Sequence, residues 1–196
     1  FYIGGNDSMD TVLKLSRFAE KNRSSVKILG IPKTIDNDLA HTDHTPGFGS
    51  AAKYIATSLR EIACDAYIYA VKSVTIVEIM GRDAGWLTAA SVLARTDSSP
   101  APQLIYLPEV PFDLAACVRD TKSLLERENN IIIAVSEGIR DAQGNYLSAN
   151  QAVRDKFGHA QLSGTGKALE TVMRDQLHVK TRSIELNVLQ RAAAHC

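Results

Sequence analysis

The densest run of reactive groups in the chain is Pro32-Lys33-Thr34-Ile35-Asp36-Asn37-Asp38, directly after the apolar stretch Val26 to Ile31. It brings an ammonium, a hydroxyl, two carboxylates and an amide together. Two carboxylates beside a lysine can hold a metal, accept a proton and meet an anionic substrate. Taken alone, Asn-Asp reads as a turn, because both side chains hydrogen-bond nearby backbone. Position argues for chemistry. Val26 to Ile31 reads as a buried strand stopped by Pro32, and in open α/β sheets ligands gather outside the carboxyl ends of the strands.

Other candidate groups also follow strand-like runs. Gly4-Gly5-Asn6-Asp7-Ser8 comes after Phe1 to Ile3. Gly4 and Gly5 permit close backbone approach by a ligand, and the helix start beyond them offers free N–H groups to a phosphate. Asp7 is a negative charge in that place; Mg2+ between it and a phosphate would make it tolerable, and otherwise it caps the helix. Met80-Gly81-Arg82-Asp83-Ala84-Gly85 follows the strand Val74 to Ile79. Arg82 there either clamps phosphate in a fork or serves an interface or helix end. Glu109 follows the strand Gln103 to Leu107 and could accept hydrogen bonds from a polyol, although a surface glutamate is the commoner case. Ser136-Glu137-Gly138 follows Ile131 to Val135, which reads as a buried strand. His41, Asp43 and His44 lack zinc-ligand spacing and read as a polar loop.

Helical periodicity fills the gaps. Met9, Val12 and Leu13 share one face of the first helix, as do Leu15, Phe18 and Ala19. Ala51, Ile55, Leu59 and Ile62 line a second, beginning at Gly47 to Ser50. Trp86 to Ala94 is apolar almost all round, which predicts a buried helix. Leu114, Cys117, Val118, Thr121 and Leu125 give a further stripe, and Leu169, Val172, Met173 and Leu177 the last. Residues 138–166 predict a long loop with a weak helical pattern near Ala152 to Phe157. Arg182 to Leu189 alternates and predicts a strand. Strands and helices taking turns imply an α/β fold of three layers, a mostly parallel sheet with helices on both faces. No third glycine completes a dinucleotide fingerprint after Gly4-Gly5.

The 196 residues can bury a sizeable core, and 45% hydrophobic with 22% charged residues suits a soluble globular protein. The 22 basic and 22 acidic residues cancel, which argues against a broad nucleic-acid or membrane surface. The cysteines, Cys64, Cys117 and Cys196, are odd in number and widely spaced, as in a reducing, cytoplasmic protein. Cys64 and Cys117 read as packing residues on helices. The abrupt ends suggest a fragment of a longer polypeptide.

Together, Gly-Gly-Asn-Asp-Ser at 4–8, Pro-Lys-Thr-Ile-Asp-Asn-Asp at 32–38, Met-Gly-Arg at 80–82, Pro-Glu at 108–109 and Leu-Gln-Arg at 189–191 resemble the phosphofructokinase family in order and separation. The resemblance covers essentially the whole chain. It implies a two-lobe architecture, here incomplete: residues 1–48 part of the phosphoryl-donor lobe, 49–65 a linking helix, 66–190 the sugar-phosphate lobe, and 191–196 a return toward the first lobe. It implies transfer of a phosphoryl group to the 1-hydroxyl of fructose 6-phosphate, with Mg2+. Asp36 would be the general base. Thr34 would hydrogen-bond the sugar, and Asp38 would help orient the site or metal. Met80, Gly81 and Arg82 would touch the sugar phosphate, and Glu109 the sugar hydroxyls. Arg182 and Arg191 match the 6-phosphate arginines, one commonly lent by a neighbouring subunit, so a homodimer or homotetramer is implied for the full-length protein.

The same resemblance bears on the donor. ATP-using members carry glycine at the positions of Asp7 and Lys33; this chain looks like the pyrophosphate-using members. Asp7 would fill and repel the space of a nucleotide's α-phosphate, and Lys33 would favour pyrophosphate. The alternatives are an ATP-dependent enzyme, an inactive sugar-phosphate-binding scaffold, or a kinase for another sugar phosphate. Three departures stand out. Asn6 replaces a metal-binding aspartate, so the metal would be shared with Asp7. Val188 replaces a polar residue, and Ala192-Ala193 replaces Gly-Gly. The family's first glycine-rich phosphate loop is expected upstream of Phe1.

Overall fold

The computed structural model describes residues 1–148 and 164–192. The chain opens with β1 (Tyr2–Gly4), α1 (Asn6–Lys21) and β2 (Gly30–Pro32). The two strands pair in parallel, Tyr2 opposite Gly30 and Gly4 opposite Pro32. Parallel pairing needs a crossover, which α1 supplies. β2 starts at Gly30, not Val26, because β1 offers only a three-residue partner. Pro32 ends the strand without loss, since the next amide, Lys33, makes the bond to the Gly4 carbonyl at 2.9 Å. Two strands and one helix cannot bury the apolar stripes that the periodicity marks. Ala19 is the one buried residue of α1, while Leu13, Leu15, Phe18, Val26, Leu29 and Ile31 stay exposed.

The long helix α2 (Phe48–Tyr67) runs past the predicted end at Ile62. Its first residue follows Gly47, held at φ +96°, a left-handed conformation that suits glycine. Ala51, Ile55 and Leu59 are fully buried, as their spacing requires.

The second sheet contains β3 (Ser73–Ile79), β4 (Leu104–Tyr106), β5 (Asn130–Ser136) and β6 (Lys180–Glu185), all parallel, in the order β4-β5-β3-β6. β5 is buried along its whole length and β3 from Val74 onward, the pattern of parallel strands covered on both faces. Alternate residues feed two cores. Val77, Ile79, Ile132 and Ala134 pack toward α2 and α3 (Trp86–Ala90). Val74, Ile76, Ile131, Ile133 and Val135 pack toward α4 (Leu114–Leu124) and α5 (Thr165–Leu177). The three-layer α/β architecture is as the alternation implied.

Several boundaries differ from expectation. The apolar segment after Trp86 is α-helical only to Ala90 and continues as a 3-10 turn over Ser91–Ala94. It is buried on one face, by Leu87, Thr88, Ser91 and Ala94, while Trp86 and Leu93 are exposed. β6 stops at Glu185 rather than Leu189, because Asn187 turns to φ +42° and leads into the single turn α6 (Leu189–Ala192). Cys117 is buried as expected, but Cys64 faces outward on α2. The weak helical pattern near Ala152 to Phe157 lies outside the described residues. No helix among the described residues is long and apolar enough to cross a membrane.

The start of α5 is tied to the centre of the sheet. The Gly166 amide donates to the carboxylate of Glu78 on β3 at 2.7 Å, and the Thr165 hydroxyl donates to the Glu137 carbonyl at 2.9 Å. Burial pushes Glu78 up to about 7, against the Gly166 bond.

Candidate active site

The segments that follow β1, β2, β3 and β5 converge on a cleft of about 430 Å3. This is a size that holds a small ligand. Gly5, Asn6, Asp7 and Ser8 enter it at the start of α1, Lys33 to Asp36 after β2, and Pro46 and Gly47 before α2. Met80 and Arg82 come from the turn after β3, Glu137 from the end of β5, and Arg191 from α6. All the strands involved contribute their carboxyl ends. Two helix starts, with their unpaired amides, border the space and favour anions. Lys33, Arg82 and Arg191 face Asp7, Asp36 and Glu137, so three cations balance three carboxylates.

The first wall is built around Asp36. Its amide donates to the Thr34 hydroxyl oxygen at 3.0 Å, which fixes a tight turn. Asn37, buried and at φ +58°, anchors the following loop. Its side chain donates to the Asp43 carbonyl at 3.0 Å and accepts from the Thr45 amide at 2.9 Å, while the Thr45 hydroxyl donates to the Thr34 carbonyl at 2.6 Å. The Asx character noted in the sequence thus resides in Asn37, and Asp36 is left free to face the cleft. Burial holds the Asp36 pKa above its usual range; Asp38 adds to this, and Arg82, the Thr34 hydroxyl and Lys33 oppose it.

The second wall is the turn from Met80 to Gly85. Gly81 adopts φ +147° and Arg82 φ +52°, a reversal closed by the Ala84 amide on the Gly81 carbonyl at 2.8 Å. The amides of Gly81 and Arg82 donate to Oε1 of Glu137 at 3.2 and 3.0 Å. The Met80 amide donates to Oε1 of Gln190 at 3.2 Å. Gly138 packs so tightly below that a Cβ there would stand 1.8 Å from the Arg82 carbonyl oxygen. Burial raises the Glu137 pKa, the Arg82 and Gly81 amides oppose the rise, and the Asp36 charge adds to it.

Of the residues proposed from sequence, Gly5, Asn6, Asp7, Lys33, Thr34, Asp36, Met80, Arg82 and Arg191 meet on this cleft. Gly81 supports it through its amide. Gly4 serves close packing instead, since a Cβ there would lie 2.1 Å from the Ser8 hydroxyl. Asp38 is exposed beside the cleft and reaches it only through its charge on Asp36. Glu109 is not among the residues lining this cleft: its Oε1 accepts from the Gly85 amide at 2.6 Å and anchors the start of α3. Arg182 is also placed elsewhere in this chain. It donates to Asp65 at 2.7 Å and to Thr75 at 3.1 Å on the α2 side of β6, because β6 is an edge strand beyond the cleft. Glu137 is the lining carboxylate that the sequence reading passed over. Its one signal was a charge directly behind an all-apolar run.

A cleft of this kind, with two helix starts and three cations on its lining, can take a phosphorylated or otherwise anionic small molecule. Residues 1–196 match the family described as Phosphofructokinase. A pyrophosphate–fructose 6-phosphate 1-phosphotransferase of Xanthomonas campestris is 47% identical over 99% of this chain and 47% of its own length. One from Rhodospirillum rubrum is 44% identical over 100% of this chain and 50% of its own. The crystal structure of a pyrophosphate-dependent phosphofructokinase from Marinobacter aquaeolei superposes with a TM-score of 0.81 at 34% identity, covering 100% of this chain and 45% of that one. The chain belongs to the phosphofructokinase family. It spans about half the length of the curated relatives it matches.

Proposed function

We propose that the full-length protein transfers a phosphoryl group from pyrophosphate to the 1-hydroxyl of fructose 6-phosphate, giving fructose 1,6-bisphosphate. The observation that carries this reading is that Asp7 and Lys33 stand on the same cleft as Asp36. Asp36 takes the hydroxyl proton. Burial makes it a better base than an exposed aspartate, and it remains within reach of the balancing charges of Arg82 and Lys33. The transition state is loose, so positioning and charge carry the rest. Arg82 and Arg191 face the acceptor phosphate, Thr34 and Glu137 the sugar hydroxyls, and Lys33 the leaving phosphate. Asp7 occupies space that a nucleotide would need.

Mg2+ fits the donor set. It binds through one or two carboxylates plus substrate phosphate oxygens, and Asp7, Asp36 and the amide oxygen of Asn6 share the cleft. Asp7 and the amide oxygen of Asn6 would hold the ion, which would supply positive charge to the pyrophosphate oxygens and leave Asp36 free to act as the base. Arg182, turned outward on β6, suits a role in a neighbouring chain's site, consistent with a homodimer or homotetramer. A cytoplasmic home is part of this reading, in keeping with three widely spaced cysteines.

The test gives the full-length protein each donor with Mg2+ and fructose 6-phosphate. Turnover with pyrophosphate and little with ATP is expected; robust turnover with ATP and none with pyrophosphate overturns the donor assignment. Lys33→Gly removes a charge-assisted contact and is expected to raise the pyrophosphate KM about tenfold.

A further inference from the structure

Arg191 sits on α6, a helix of one turn, Leu189–Ala192. A single turn does not hold itself, since the nucleus costs more than one turn of hydrogen bonds returns. The position of Arg191 is therefore set by whatever fastens its neighbours. The fastening is Gln190, 1% exposed. Its Oε1 accepts from the Met80 amide at 3.2 Å and its Nε2 donates to the Asn187 carbonyl at 3.1 Å. The first bond joins positions 110 apart in sequence. It lands on the first of three consecutive amides in the Met80–Arg82 turn, the other two being taken by Glu137.

Building on the acceptor reading above, we propose that Gln190 is a positioning residue that locks Arg191 and Arg82 into one unit for the sugar phosphate. One buried amide touches both supports. A donor or acceptor left unpaired in that place is costly, so the geometry is stiff. Gln190 is not itself a lining residue, and its side-chain hydrogen bonds run to Met80 and Asn187 rather than to the donor wall. Its loss should therefore be felt by the acceptor and hardly by the donor.

The experiment measures steady-state kinetics of the full-length protein with fructose 6-phosphate and pyrophosphate. Gln190→Met keeps the volume and removes the acceptor oxygen. It is expected to raise the fructose 6-phosphate KM about tenfold, with the pyrophosphate KM within about twofold. Gln190→Glu keeps an acceptor for the Met80 amide but loses the donor to the Asn187 carbonyl, so it should recover only part of the loss, and more of it as pH falls and the carboxyl gains a proton to donate. In an Arg191→Met background Gln190→Met should add less than about twofold, because residues acting as a unit are not additive. Should Gln190→Met fail to fold, Gln190→Asn, too short to reach Met80, carries the same expected split. An unchanged acceptor KM, equal rises in both KM values, or full additivity with Arg191→Met would overturn the positioning role. Wild-type protein with no turnover on fructose 6-phosphate would instead overturn the acceptor reading, and this proposal with it.

Discussion

The unit of β1, α1 and β2 and the four-stranded sheet carry similar apolar patterning, yet only the sheet is dry. In the sheet, Ile76, Ile132, Ile133 and Val135 are completely buried between helices. In the smaller unit, Phe18 is 66% exposed and Ile31 43%. Apolar spacing reports a capacity for burial, not the presence of a cover. The catalytic candidates, Asp7, Lys33 and Asp36, belong to the thinly supported unit, whereas the anchoring of Arg82 through Glu137 belongs to the dry one. Within these 196 residues, about half the length of the matched relatives, the catalytic candidates thus lie in the less covered unit.

The division can be broken by substitution. The largest effect is expected from Asp36→Asn in the full-length protein: kcat should fall about a thousandfold, the usual scale of a lost general base, with the melting temperature within a few degrees of wild type. A matched loss of stability would mean that Asp36 supports the fold. Next, in the 196-residue chain, Ile133→Ala should cost about 3–4 kcal/mol, and Phe18→Ala under about 0.5 kcal/mol. Urea titration of both variants reads this contrast, and equal costs would remove it.

Two further predictions sharpen the comparison through pH. Glu78 titrates near 7 in the folded chain against a reference of 4.5. The folded state therefore holds the proton more tightly. The associated stability is complete below pH 4.5 and is lost as pH rises from 4.5 toward 7. The full loss is about 3 kcal/mol. Glu78→Gln should flatten that slope in melting curves, and an unchanged slope assigns it to another group. Asp36 also has a raised pKa. The acid limb of kcat/KM should therefore lie above the ordinary aspartate range. Asp38→Asn removes a like charge and should move that limb to lower pH; movement the other way, or none, would separate Asp38 from the site.

Local pattern reveals a great deal here. The strand, turn and helix rhythm gives the α/β layering, the charged strand ends give Asp7, Lys33, Asp36 and Arg82, and the family resemblance adds Arg191, all on one cleft. What it cannot reveal is strand order. Glu109 and Glu137 both follow short apolar runs, and only the Pro-Glu match to the family singles out Glu109 in the sequence. In space β5 lies beside the central β3, which sets Glu137 under the Arg82 turn, while β4 is an edge strand and Glu109 reaches Gly85 instead. Arg182 lies on the opposite edge strand, β6, and within one chain stays apart from the cleft. The strand at Val26 was overextended because the length of its partner, three residues, is invisible from its own composition.

The contact between Gly138 and the Arg82 carbonyl bears on how this site can evolve. Nearby positions can trade side chains to suit a new sugar, but position 138 admits not even a methyl group while Arg82 keeps its posture. Random libraries spanning 136–140 should return glycine there in nearly every active clone, and any survivor without it should carry a reshaped turn at 80–85.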